Sequence, residues 1–214
     1  FRENIEALVM GNPVRGALIE AGAARQYDYA GQRPLHLLVL GGSLGAKPIN
    51  EVLPATLRAV RDSGGELELW HQTGEAHLDV VRRSYGELLD QGTRVDPFIE
   101  DMAAAYGWAD LVLCRAGALT VSELAIMGCP SILVPLPYAI DDHQSANARS
   151  LSDRGAAVLL RQADMTADGL ASSLRSYMAH PRILANMAAE ARAAATPDAA
   201  ARVCDCCEEL IHGR

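Results

Sequence analysis

The chain of 214 residues contains no apolar run of the roughly 18 to 20 residues that a membrane-spanning helix needs. It also lacks an excess of positive charge. Nineteen Lys and Arg stand against 27 Asp and Glu, a net charge of −8, which argues against a general nucleic-acid binder. The five cysteines are scattered and odd in number, unlike a disulfide framework, and point to a reducing, cytosolic compartment. A secretory leader is not expected, because Phe1-Arg2-Glu3-Asn4 is charged and runs straight into sequence that reads as structure. There is no internal repeat, no low-complexity tract, no Ser-His-Asp set and no carboxylate pair of the kind that hydrolyses glycosides. What remains is half hydrophobic and 21% charged, the balance of a globular domain with ample length for a core. Phe1 is not an initiator methionine, and the first strand-like run, Ala7-Leu8-Val9-Met10, comes with almost no lead-in. The chain therefore reads as one cut from something longer.

Short apolar runs alternate with amphipathic stretches. Leu35 to Leu40 is an apolar run closed by two glycines, and Pro48 to Asp62 places Ile49, Val52, Leu53, Leu57 and Val60 on one helix face. Pro48 suits the first turn of that helix, where a missing N–H costs nothing. Glu66 to Trp70 alternates like a strand and precedes a helical stretch with Leu78, Val81, Tyr85 and Leu88 in register. Leu111 to Cys114, Ser131 to Val134 and Ala156 to Leu160 repeat the strand theme, each followed by a helical pattern. Tyr27 to Pro34 reads as a loop. From Thr166 onward the pattern is helical and alanine-rich, with breaks at Pro181 and Pro197, which predicts two or three closing helices. Strands alternating with helices imply a Rossmann-like α/β domain, a parallel sheet with helices on both faces. Such sheets bind ligands at the carboxyl ends of their strands.

Three strand-to-helix loops carry residues suited to chemistry. Gly41-Gly42-Ser43-Leu44-Gly45-Ala46 lets backbone approach a ligand closely at a helix start, which suits a phosphate. It is neither a Walker loop nor a full Gly-x-Gly-x-x-Gly, and many α/β turns need glycine simply to reverse the chain. In Arg115-Ala116-Gly117-Ala118-Leu119-Thr120-Val121-Ser122-Glu123, Thr120 and Glu123 share one face near a helix start. Glu123 there either accepts two ribose hydroxyls or completes a capping box with Thr120 or a neighbour. The third segment, Pro135 to Ala148, crowds Asp141, Asp142, His143, Gln144 and Asn147 beside a strand end. Capping explains the aspartates and leaves His143, Gln144 and Asn147 to face a polyhydroxylated ligand. Cys204-Asp205-Cys206-Cys207 with His212 invites a metal site, but no partner Cys-x-x-Cys pair exists elsewhere, and incidental cysteines are the better reading.

Six motifs occur in order: Gly11-Asn12-Pro13-Val14-Arg15, the Gly41–Ala46 loop, Trp70-His71-Gln72-Thr73-Gly74, Pro97-Phe98-Ile99-Glu100-Asp101-Met102, the Arg115–Glu123 segment and His143-Gln144-Ser145-Ala146-Asn147-Ala148. Together they resemble the C-terminal, donor-binding half of the MurG family of GT-B glycosyltransferases. That family transfers N-acetylglucosamine from UDP-N-acetylglucosamine to lipid I, forming lipid II in bacterial peptidoglycan synthesis. The resemblance implies an inverting enzyme of two Rossmann-like halves, with no cofactor and no bound metal. It places Arg15 at the nucleotide end and Gly42, Ser43 and Gly45 around the diphosphate. Ile99, with Met102 beside it, faces the uracil. Ala118, Leu119, Thr120, Val121 and Ser122 line the nucleotide, Glu123 takes the ribose hydroxyls, and His143, Gln144 and Asn147 lie toward the sugar, whose hydroxyls Gln144 reads.

The resemblance runs from about Gly11 to the C-terminus and implies that residues 1–214 are the donor domain alone. Ala116 departs from it, standing where a serine is expected, so a hydroxyl contact is lost there. The motifs of the N-terminal half are absent, and with them the acceptor-lipid site, the general base and the patch that meets the cytoplasmic membrane face. This chain is thus expected to bind donor without completing transfer, and its last helix, 197–214, to belong against the other half. The alternative is the donor half or donor subunit of another GT-B glycosyltransferase acting on a lipid acceptor.

Overall fold

The computed structural model describes residues 8–137 and 142–212. At its centre is β1 (Leu35–Leu40), buried on both sides. Leu35, Leu37 and Val39 face one apolar layer, and Leu38 and Leu40 the other. A strand enclosed in this way reads as continuous hydrophobic sequence, which is why its bounds are visible in the sequence. It pairs in parallel with β2 (Leu67–Gln72) on one side and β4 (Leu111–Cys114) on the other. With β3 (Thr93–Asp96), β5 (Ser131–Leu133) and β6 (Ala157–Leu159), the six strands run in the order β3-β2-β1-β4-β5-β6, all parallel.

Helices cover both faces. The first layer is packed by α2 (Lys47–Asp62), through Ile49, Leu53, Leu57 and Val60, and by α3 (Leu78–Tyr85) and α7 (Ala167–Ala179). The second is packed by α1 (Gly16–Ala24), α4 (Met102–Trp108), α5 (Ala118–Met127) and α6 (His143–Ser152). Leu184 and Met187 of α8 (Arg182–Ala193) join the first layer, and its Ala191 joins the second. Arg25 and Arg192 lock α5 from behind: Arg25 donates to the Met127 and Gly128 carbonyls at 2.9 and 2.8 Å, and Arg192 to that of Ile126 at 2.8 Å. These cations satisfy the last carbonyls of the helix whose other end faces the strand termini.

Three closing helices follow Thr166, the third being α9 (Ala199–His212). The Thr166 hydroxyl caps α7 by accepting from the Gly169 N–H at 3.1 Å. α9 buries only Ala199 and exposes Leu210 and Ile211 almost fully, at 78% and 77%.

One expectation changes, and one strand stands where no sequence pattern marked it. Leu8, Val9 and Met10 form no strand, and Leu8 and Val9 are exposed; Ala7 lies outside the described residues. An apolar triplet alone does not make a strand when no partner presents a pairing edge. Conversely, β3 is a strand despite its polar sequence Thr-Arg-Val-Asp, because an edge position lets Arg94 and Asp96 reach outward to pair with each other at 2.6 Å.

The core also holds polar residues, His71 among them. His71 of β2 is wholly buried in the layer of Leu67 and Leu69, with Nδ1 2.9 Å from the Tyr85 hydroxyl and Nε2 3.0 Å from Asn50 Oδ1. Burial pushes its pKa down to about 3 from an ordinary 6.5. The unfolded chain therefore takes up this proton at a pH where the folded protein refuses it, and acid favours unfolding across that window. Wild-type protein should lose about 1 kcal/mol more stability per pH unit than a His71→Gln variant, in urea unfolding between about pH 6 and about pH 4. Parallel losses would mean that His71 takes up its proton equally in both states.

Candidate nucleotide-sugar site

The strand order reverses between β1 and β4. The chain leaving β1 enters α2 on one face, and the chain leaving β4 enters α5 on the other. Parting connections open a crevice at the carboxyl ends of these two neighbouring strands. A cleft of about 490 Å³ lies there, walled by Gly41, Gly42 and Ser43 after β1 and by Cys114, Arg115, Thr120 and Glu123 after β4, with Ile99, Met102 and Tyr106 beside them.

The first wall depends on two glycines. Gly42 has φ +75° with open space where a Cβ would stand, so only its backbone conformation demands glycine. Gly45, at φ +77°, would also drive a Cβ into the Thr73 carbonyl oxygen and the His77 ring. Past it, α2 starts at Lys47 with no side chain capping its end and no acidic residue in its first turn. α5 starts the same way, behind Gly117, again uncapped and without an acid in its first turn. Both helices thus offer free N–H groups and a positive dipole end.

The second wall carries the charge. Glu123 is one turn into α5, 17% exposed, with Oε2 accepting from the Tyr106 hydroxyl at 3.0 Å and Oε1 3.4 Å from Arg15 Nη2. It does not reach back to the helix start, which removes the capping-box alternative. Tyr106 is fully buried, and burial together with the Glu123 charge holds its pKa well above the ordinary tyrosine value, so it stays a donor. Arg115 is pinned differently: Nη1 donates to the carbonyls of Val134 and Pro135, each at 3.2 Å, and Nη2 to Gln162 Oε1 at 2.7 Å. Among the described residues no carboxylate pairs with it, so its charge is left to the cleft. Cys114 is buried and its thiol is pushed up by burial, so it is no nucleophile.

Of the residues singled out from sequence, Arg15, Gly42, Ser43, Ile99, Met102, Thr120 and Glu123 meet in this cleft. Gly45 lies behind the loop, and Ala118 and Leu119 form the first turn of α5. Val121 and Ser122 turn away toward a groove beside α6, where Ser122 Oγ receives Asn12 Nδ2 at 3.1 Å. His143, Gln144 and Asn147 are on α6 and outside the cleft lining. Gln144 Oε1 accepts from the Leu136 N–H at 2.9 Å, and Asn147 Nδ2 donates to the Ala116 carbonyl at 3.0 Å, so both tie α6 to the ends of β4 and β5. Asp142 occupies the position before α6 but makes no side-chain cap, and Asp141 lies outside the described residues. Tyr106, Arg115, Gln72, Phe98 and Glu100 join the lining without having been given a role from sequence. No three His, Cys, Asp or Glu are grouped to hold a metal among the described residues. No helix among them is long and apolar enough to cross a membrane.

A doubly wound sheet whose reversal point carries a glycine loop, two uncapped helix starts and a tethered carboxylate defines a Rossmann-like ligand-binding domain. Residues 36–203 match the Glycosyltransferase family 28 C-terminal domain, and the chain belongs to that family. It is 51% identical over 207 residues to the UDP-N-acetylglucosamine–N-acetylmuramyl-(pentapeptide) pyrophosphoryl-undecaprenol N-acetylglucosamine transferase of Cellvibrio japonicus, covering 96% of this chain and 56% of that protein. The Azotobacter vinelandii protein of the same name is 52% identical, covering 100% and 58%. The crystal structure of Acinetobacter baumannii MurG superposes with a TM-score of 0.77 at 37% identity, over 98% of this chain and 58% of that one. The chain thus spans somewhat more than half the length of these relatives.

The two loop glycines separate conformation from space. Gly42→Ala is expected to cost roughly 1–2 kcal/mol, the strain of a left-handed residue. Gly45→Ala should cost distinctly more in urea unfolding, because the Thr73 carbonyl must also move. Equal costs would show that the loop is not seated on β2.

Proposed function

We propose that this chain is the donor-binding half of a MurG-type glycosyltransferase and holds UDP-N-acetylglucosamine in the cleft between the β1 and β4 loops. The observation that carries this is the placement of Glu123. Its two oxygens are held by Tyr106 and Arg15 at the edge of the cleft whose other wall is the glycine loop. A carboxylate fixed there matches a ribose diol, and a glycine loop at an uncapped helix start matches a diphosphate. Ser43 adds a hydroxyl donor on the diphosphate, and Ile99, with Met102, packs on the uracil. Arg15 closes the nucleotide end and Thr120 lines it, with Ala118, Leu119, Val121 and Ser122 on the same helix. His143, Gln144 and Asn147 of α6 stand outside the cleft lining, on the side toward which the sugar would extend, with Gln144 and Asn147 holding α6 to the ends of β5 and β4.

In the full enzyme the acceptor is lipid I, delivered from the cytoplasmic membrane face by an N-terminal half that also supplies the general base. Charge then develops on the departing UDP, where the uncapped starts of α2 and α5 stabilise it. The exposed Leu210 and Ile211 of α9 fit a helix that packs on that other half.

Isothermal titration tests the donor site. UDP-N-acetylglucosamine and UDP should bind without added metal and more tightly than UDP-galactose or ADP. Glu123→Ala should weaken both by about tenfold or more, the loss of a charge-assisted hydrogen-bond pair. Equal binding of UDP and ADP, or an unchanged Glu123→Ala variant, would contradict the assignment.

A further inference from the structure

Behind the glycine loop runs a buried chain of polar side chains that lies outside the cleft. Asn50, in the first turn of α2, is almost wholly buried, and its Nδ2 donates to the Thr73 carbonyl at 3.0 Å. Its Oδ1 consequently faces His71 and can only accept, so the Nε2 of His71 is the donor across the 3.0 Å between them. Nδ1 is then the acceptor, and the Tyr85 hydroxyl donates to it across 2.9 Å. Hydrogen bonds therefore run one way, from α3 through β2 and α2 to Thr73, with each side chain satisfied.

The far end of this chain is the atom on which the loop rests. A Cβ on Gly45 would collide with the Thr73 carbonyl, and the Gly41 N–H donates to the neighbouring Gln72 carbonyl at 3.0 Å. Thr73 is itself held from β3, its N–H donating to Asp96 O at 3.0 Å. An apolar filling of the same space would pack the sheet as well, but it would leave the buried Thr73 carbonyl without the Asn50 donor. The polar chain has an outlet at one place, the underside of the loop.

We propose that His71 is a positioning residue for the glycine loop: by orienting Asn50 it fixes the Thr73 carbonyl against Gly45 and so sets where Gly42 and Ser43 hold a diphosphate. The role depends on the donor-binding function proposed above and adds residues behind the site to it. His71 touches no ligand; it acts through Asn50.

NMR of this chain separates the two claims. In the free protein, His71→Leu should move the amide resonances of Gly42, Ser43 and Gly45. A His71→Gln, Tyr85→Phe double variant should return them toward wild type, because the glutamine amide replaces Nε2 as donor and no hydroxyl is stranded. In titrations, His71→Leu should lose about tenfold in affinity for UDP with uridine unchanged, while the double variant stays within about threefold for both. Tyr85→Phe alone, a milder cut at the start of the chain, should move the same resonances less and carries the test if His71→Leu does not fold. Loop resonances that stay put in a folded variant, or equal losses for UDP and uridine, would overturn the positioning role. Wild-type protein that binds no UDP would overturn the donor reading, and the free-protein resonances would still judge the loop's support.

Discussion

β1 and β4 share a register from Leu37 opposite Leu111 to Leu40 opposite Cys114, yet their chains leave for opposite faces of the sheet. Neither connection can cover the gap at the shared end without crossing the other, so a crevice is built into the topology. Most features of the cleft follow from that parting. The loop after β1 must turn sharply to reach α2, which places Gly42 and Gly45 at positive φ. The loop after β4 delivers α5 with its uncapped start forward and its carbonyl end held by Arg25 and Arg192. Residues 8–15 then run past the start of α5, where Asn12 contacts Ser122 and Arg15 reaches Glu123.

Electrostatics decides what such a crevice takes. The chain carries a net charge of −8, but the cleft sets Arg15, Arg115 and two positive helix ends against Glu100 and Glu123. Its carboxylate Glu123 is engaged by Tyr106 and Arg15, so it is oriented as an acceptor at one edge while the loops remain open to an anion. A ligand with a phosphate-rich centre and a diol at one end meets both demands.

Periodicity in the sequence located β1, α2, β4 and the closing helices α7 and α8 well, because each has one or two faces committed to the core. It failed where burial and pairing come apart. Leu8 to Met10 are apolar but unpaired, and Thr93 to Asp96 are paired at an edge but polar. The loops were legible as glycine-rich strand ends, and with them Ser43 and Glu123. Tyr106 was not, since its partner Glu123 stands 17 residues away on another helix and no spacing rule connects them. Arg115 was visible in a motif, but its pinning by Val134, Pro135 and Gln162 exists only once β5 and the segment after β6 are assembled. The chain from Tyr85 to Thr73 is hidden for the same reason, being drawn from α3, β2 and α2 together.

A crystal structure of this chain with UDP tests the central claim most directly. It should place the ribose hydroxyls on Glu123 at about 2.6–3.2 Å and the diphosphate over Gly42 and Ser43, with the uracil against Ile99. A nucleotide seated elsewhere, or one in this cleft with Glu123 still bound only to Tyr106 and Arg15, would contradict the account.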